Sequence, residues 1–191
     1  RNIDGKAEHK PVDIYCGIDP ASSLSARSDF FVIATMAVDG DGNKYIVDIV
    51  RDKLDPAVQP AEIVKIYKKY KPRKMIIETV GYQEALRSNV RKMMLDEGIY
   101  IPGLEKGIKP RQRKSERLLS LVAPLARGEF FFRAEDIHAQ QEFLSYPRGK
   151  HDDILDGIYY AINGARPCRR KEFVEGEIKK KPRKILDWMT M

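Results

Sequence analysis

Three acidic signatures stand far apart in this chain: Asp19 in GIDPA, Glu78 in MIIETVGYQ, and the pair Asp152–Asp153 in KHDDILDG. The first two close apolar, strand-like runs; the third opens a helix-like run. A carboxylate at the end of a buried strand is costly unless a cation meets it. Acids from three distant segments would meet around divalent metal ions, the arrangement that two-metal phosphodiester hydrolysis requires. Two Mg2+ or Mn2+ ions about 4 Å apart would offset the repulsion between the phosphodiester and an attacking hydroxide. They would also lower the pKa of bound water and stabilise the leaving oxygen. Such ions take oxygen ligands, hence Asp and Glu in place of Cys or His.

Each acid also has a plainer role open to it. Asp19-Pro20 is a turn-initiating pair. Asp152 or Asp153 would cap the last helix, since acids are favoured at helix N-termini with or without metal. Glu78 is harder to account for in that way, because it directly follows the four-residue strand run Lys74-Met75-Ile76-Ile77 and has no cation adjacent in sequence. His151 would assist proton transfer, orient a carboxylate, or simply stand at the helix start. Asp156 falls four residues after Asp152 on one helix face, where it would join the metal shell, support it from behind or lie on the surface.

Basic residues supply the complementary signal. Lys106, Lys109, Arg111, Arg113, Lys114 and Arg117 fall close together, opposed within that stretch only by Glu116. They span a loop and the first turns of a helix, and Lys114 and Arg117 share a helix face. Contacts of this type hold DNA phosphates without choosing sequence; the alternative is a solvated helix face. Arg27, in the serine-rich loop after Asp19, would reach a scissile phosphate or pair with Asp29. Tyr82 and Gln83 open the helix after Glu78, where a phosphate is welcome at the helix N-terminus; core packing is the competing role for Tyr82.

The elements that must position these residues follow from the hydrophobic pattern. Strands are expected at Asp13–Asp19, Phe30–Val38 and Lys44–Val50, the last two joined as a hairpin by DGDGN. A helix covers Ala61–Tyr70 and stops at Pro72, and a fourth strand, Lys74–Ile77, delivers Glu78. A helix over Tyr82–Glu97 ends at Gly98, and a short fifth strand is expected at Ile99–Leu104. Further helices are expected up to Arg127 before Gly128, over Ile137–Leu144 and over His151–Ala165, with an edge strand at Glu129–Phe132. A three-strand meander followed by alternating helix and strand predicts a mixed α/β sheet with helices on both faces.

The chain of 191 residues is long enough for one domain with a real core. Residues 1–12 read as a linker remnant, 13–166 as the domain, and 167–191 as a basic, flexible tail. From Arg166 to Lys184 the tail carries nine Lys or Arg against three Glu, suited to DNA or a partner protein. A net charge of +7 and a pI near 9.3 favour a polyanionic partner. No apolar run approaches the ~20 residues of a membrane span, and the polar N-terminus is no signal peptide. Cys16 and Cys168 match no CxxC or zinc spacing and fit a reducing compartment. No phosphate-binding loop of the GxxxxGK[ST] or GxGxxG type occurs.

Taken together, GIDPA with its Ser-rich loop and Asp29, IIETVGYQ, the KxxR of Lys114–Arg117, GEFFF and GKHDDILDGIYYA resemble one family. It is the nuclease domain of the large terminase subunit of tailed bacteriophages, of the ribonuclease H-like superfamily. The resemblance runs from about residue 13 to 165. It implies Asp19 as the central ligand bridging two ions, Glu78 holding one of them, and Asp152 and Asp153 completing the cluster. It further implies a metal-dependent endonuclease that cuts concatemeric viral DNA during packaging in the host cytoplasm. Its partners would be double-stranded DNA, an ATPase domain of the same full-length protein, the portal and the small terminase subunit. A start without Met agrees with a fragment of such a protein. The alternatives are another ribonuclease H-like nuclease, such as a Holliday-junction resolvase or transposase-like enzyme, and a non-catalytic DNA-binding module.

Overall fold

The run FVIATMAV is apolar with no polar alternation, and it becomes the middle strand of the sheet, buried along its whole length. The architecture around it is that of a computed structural model that describes residues 10–22, 30–78, 83–105, 107–108 and 113–169. Its strands are β1 (Asp13–Asp19), β2 (Phe31–Val38), β3 (Lys44–Asp52), β4 (Lys74–Ile77) and β5 (Phe130–Phe131). Its helices are α1 (Gln59–Tyr70), α2 (Gln83–Asp96), α3 (Lys114–Ala126), α4 (Ile137–Ser145) and α5 (Asp153–Gly164).

The strand order is β4-β1-β2-β3-β5. The first three strands form the expected antiparallel meander, and β4 and β5 join its two sides in parallel to β1 and β3. The sheet is therefore mixed. One face packs Cys16, Ile18, Met75 and Ile77 against Ile63 and Ile66 of α1 and Leu86 and Val90 of α2. The other packs Tyr15, Val32 and Ala34 against Leu118 of α3, Ala139 of α4 and Ile154, Ile158 and Ala161 of α5. Because successive strand residues point to opposite faces, β1 sends Cys16 and Ile18 to the first face and Tyr15, Gly17 and Asp19 to the second.

One expected element is absent among the described residues. Residues Ile99–Leu104 form no strand. Pro102 has no N–H to donate and Gly103 takes a φ of 95°. The segment still packs on the edge of β4, giving its Pro102 carbonyl to Met75 N–H at 2.8 Å and burying Ile101 fully. At the C-terminus, packing continues past residue 166: Cys168 is buried, and its N–H donates to the Asp39 carbonyl at 2.9 Å. The rest of the basic tail, from Arg170 onward, lies outside the described residues.

Helix α5 lies directly on β1. A Cβ on Gly17 would stand 1.9 Å from the Gly157 carbonyl oxygen and 2.3 Å from the Ala161 nitrogen. The hydrogen side chain of Gly17 is what admits the helix backbone so close to the strand. Further along, Gly164 of α5 faces Ile76 of β4, so the helix crosses both parallel strands. Its N-terminal turn is left at the end where β1 and β4 finish.

Candidate functional site

Strand pairing decides where the first two acids lie. In the parallel pair β1–β4, Ile18 is opposite Ile77. Asp19 and Glu78, one residue further on each strand, therefore leave the sheet side by side. The Glu78 backbone is held in place by a parallel bridge to Ile108. The N-terminal turn of α5 arrives over the same end with Asp152, Asp153 and Asp156.

The electrostatics of Asp19 report this convergence. Its carboxyl is pushed well above the ordinary carboxylate range, first by loss of solvent and then by the negative charges of Asp156, Glu78 and Asp153, with Lys114 opposing. Three segments distant in sequence thus crowd negative charge onto one strand end. Asp156, almost fully buried, is also raised by burial, against the pull of Lys114 and Arg117. Tyr160, with no exposed surface, is pushed up by burial and by the charges of Glu78, Asp156 and Asp19. Among the described residues, however, no three His, Cys, Asp or Glu side chains stand close enough together to hold one ion.

Cations from α3 enter the cluster. Lys114 Nζ lies 2.8 Å from Asp152 Oδ1 and 2.8 Å from Asp156 Oδ2. Burial works against its charge, but the two carboxylates outweigh this and hold the ammonium above its usual range. Arg117 Nη1 donates to the Tyr160 hydroxyl at 2.6 Å and lies 3.6 Å from Asp156 Oδ1. Lys114 and Arg117 do share a helix face, as expected, but that face turns onto α5. Arg117 is 7% exposed, so it braces Tyr160 and Asp156 where the sequence suggested a DNA phosphate. Lys114 remains half-exposed yet is committed to the same acids. Arg113 stands exposed at the N-cap of α3. Arg27, Tyr82, Lys106, Lys109 and Arg111 lie outside the described residues, as does the Gln83 side chain.

This placement reverses an expectation for substitution. Arg117 on a solvated face would tolerate Ala within about 0.5 kcal/mol. Inside the cluster, its removal takes the donor from the buried Tyr160 hydroxyl and leaves Asp156 with Lys114 as its cation partner. Arg117→Ala should therefore cost ~1–3 kcal/mol, read as a lowered midpoint in urea denaturation.

The capping role considered for Asp152 or Asp153 falls to another residue. Asp152 occupies the N-cap position with φ −145° and ψ 17°, and makes no capping bond. Glu142, buried on α4, accepts from the Ile154 N–H at 2.9 Å and the Leu155 N–H at 3.4 Å through Oε2. Burial raises its carboxyl to about 7, with the Ile154 N–H and Arg51 opposing. Arg51 Nε stands 3.6 Å from Glu142 Oε1, and its guanidinium lies 3.6 Å above the Phe30 ring. Phe30 meets His151 edge to face at 5.2 Å, and His151 Nδ1 is 3.7 Å from Asp153 Oδ2. His151 thus stands beside Asp153 without a hydrogen bond to its Oδ2.

Glu142, Arg51 and Tyr160 were not singled out from the sequence. Glu142 left one trace there: an acid three residues after Ala139, on the apolar side of a short helix. Nothing local separates Tyr160 from Tyr159, because the distinction depends on where α3 packs.

Residues 16–164 match the family described as the terminase RNase H-like domain. Among solved structures, the chain is similar to the large terminase nuclease of thermophilic phage G20c with bound zinc, at 18% identity and TM-score 0.59, over 81% of this chain and 82% of that one. It is also similar to the large terminase of a second thermophilic bacteriophage, in complex with ADP, at 14% identity and TM-score 0.58. That match covers 82% of this chain but 40% of the other. The yeast mitochondrial Holliday junction resolvase Ydc2 is similar at 15% identity and TM-score 0.50, over 83% of this chain and 81% of that one. No curated protein matches the chain.

Proposed function

Because the chain belongs to the family of terminase RNase H-like domains, we propose that it is a divalent-metal-dependent endodeoxyribonuclease that cuts concatemeric viral DNA during genome packaging. The observation that carries this function is the convergence of Asp19, Glu78, Asp153 and Asp156 from three chain segments, expressed in the raised carboxyl of Asp19. Such a cluster demands positive charge, and its donors are all carboxylate oxygens, the ligands that Mg2+ and Mn2+ take. The donor chemistry therefore fits divalent ions, although the described side chains are not drawn together around one point. The similar G20c nuclease has been crystallised with zinc, with magnesium and with cobalt, which supports divalent metal here.

Asp19 and Glu78 would hold the ions from the strand ends, and Asp152 and Asp153 from the helix start. Bound there, the ions would polarise the phosphodiester, lower the pKa of the attacking water and stabilise the leaving oxygen. Strand ends fix Asp19 and Glu78 rigidly, which suits a site that must hold a defined geometry. Arg117 and Tyr160 keep Asp156 in place behind them. Lys114 neutralises Asp152 and Asp156, so any second cation there competes with its ammonium. Exposed Arg113, together with Arg27 and Arg111, would hold DNA phosphates. The biological setting would be a packaging motor in the host cytoplasm, with an ATPase domain, portal and small terminase subunit as partners, the nuclease unit spanning residues 13–166 and the basic tail following it.

The test is plasmid cleavage in Mg2+ or Mn2+ against an EDTA control, with linear duplex and four-way junction compared in parallel. Metal-dependent cutting of duplex is expected. Preference for the junction would move the function to a resolvase. Binding without cleavage in any divalent metal would leave only a DNA-binding module.

A further inference from the structure

We propose that Glu142 is a positioning residue of the acidic centre, which fixes the first turn of α5, and with it Asp152 and Asp153, from a neighbouring helix. This rests on the metal-dependent function proposed above. A helix start has N–H groups without intrahelical partners, and the cheapest remedy is a side chain at the N-cap itself. Here that position holds Asp152, but its carboxylate goes to Lys114 and its backbone is not in the extended region usual for a capping residue. The Ile154 and Leu155 amides are satisfied instead by a carboxylate brought from α4 and buried to 6% exposure.

Burying a carboxylate is costly, and a cap from within α5 would avoid that cost. The foreign cap has a consequence that a local one lacks: Asp152 is not turned back toward its own helix. The support behind Glu142 extends toward the site as well. Arg51 closes on Glu142 Oε1 from β3 and stacks on Phe30, Phe30 meets His151, and His151 faces Asp153. Glu142 thus fixes both the helix turn that carries Asp153 and, through Arg51 and Phe30, the imidazole beside it. Outer residues that orient ligands in this manner typically change metal affinity by about 10–100-fold when removed.

The experiment compares wild type, Glu142→Ala and Glu142→Gln as the full 191-residue chain. Gln preserves volume and one accepting oxygen, and so keeps the fold testable if Ala does not. Hydrogen exchange at the Ile154 and Leu155 amides reports the cap, and calorimetric titration with Mn2+ reports the ligands. Glu142→Ala should speed exchange at both amides and weaken Mn2+ binding at least ~10-fold. Glu142→Gln should stay closer to wild type in both measurements. With duplex DNA, the Mn2+ concentration for half-maximal cleavage should rise in Glu142→Ala, while the rate at saturating Mn2+ changes little. Faster amide exchange with unchanged Mn2+ affinity would mean that Glu142 serves the fold alone, which overturns the proposal. Wild-type protein that binds no Mn2+ would overturn the metal-dependent function itself, and this proposal with it.

Discussion

Asp19→Asn should lower metal-dependent cleavage by about 10³-fold or more, as expected for one member of a group that acts as a unit, while making the metal-free fold more stable. The two effects share a cause. Asp19 stands among Glu78, Asp153 and Asp156 in a poorly solvated strand end, and its carboxyl is raised well above its ordinary value of 3.8. The folded state therefore binds the Asp19 proton more tightly than the unfolded state does. Stability from this group is present in full below that value and is lost as the pH rises through the folded pKa. At neutral pH an ionised Asp19 works against the fold unless a cation compensates. Asn keeps the shape and removes the charge. Denaturant midpoints without metal should be higher in Asp19→Asn than in wild type at neutral pH, and the two should draw together as the pH falls toward the ordinary carboxylate range. Added Mn2+ should then stabilise wild type but not the variant, because only wild type offers the full ligand set. Full cleavage by Asp19→Asn would exclude the strand-end acid from the chemistry.

Gly17→Ala should severely destabilise the native fold. The added methyl carbon would lie 1.9 Å from the Gly157 carbonyl oxygen and 2.3 Å from the Ala161 nitrogen. Both neighbours are backbone, so no rotamer change relieves the clash; α5 itself must lift from β1. That movement opens the packing of Ile154, Ile158 and Ala161 on the second face of the sheet. A cost above about 4 kcal/mol is expected, against a typical domain stability of about 5–15 kcal/mol. Gly40→Ala is the control, since its Cβ would meet only the Cys168 carbonyl oxygen, at 3.4 Å. Circular dichroism melting should show a cooperative transition in Gly40→Ala and a lost or strongly lowered one in Gly17→Ala. A near-native melting temperature in Gly17→Ala would mean that α5 does not sit on β1 in this way, and that the α5 acids are held over Asp19 by other contacts.

What the sequence determined by itself is local. The apolar runs DIYCGID, FVIATMAV and KMII commit their segments to strands, and the turn DGDGN ties β2 to β3. Those rules act within a few residues, so the element order and the strand-end placement of Asp19 and Glu78 were legible without coordinates. The broken segment at Ile99–Leu104 was misread because its apolar content resembles a strand, whereas Pro102 and Gly103 deny it the backbone geometry.

Only the tertiary structure decided which groups face one another. Lys114 and Arg117 share a helix face by spacing alone, but whether that face meets water, DNA or α5 depends on how α3 packs. The acids of α5 draw it inward, so Arg117 becomes a buried brace. The cap of α5 was likewise beyond local rules, because Glu142 comes from a separate helix. The site itself exists because β4 pairs in parallel beside β1 and because Gly17 admits the α5 backbone against that pair. Periodicity records the environment of each residue along its own element. It carries no record of which distant element supplies that environment, and the charge balance of this acidic centre is set by those distant partners.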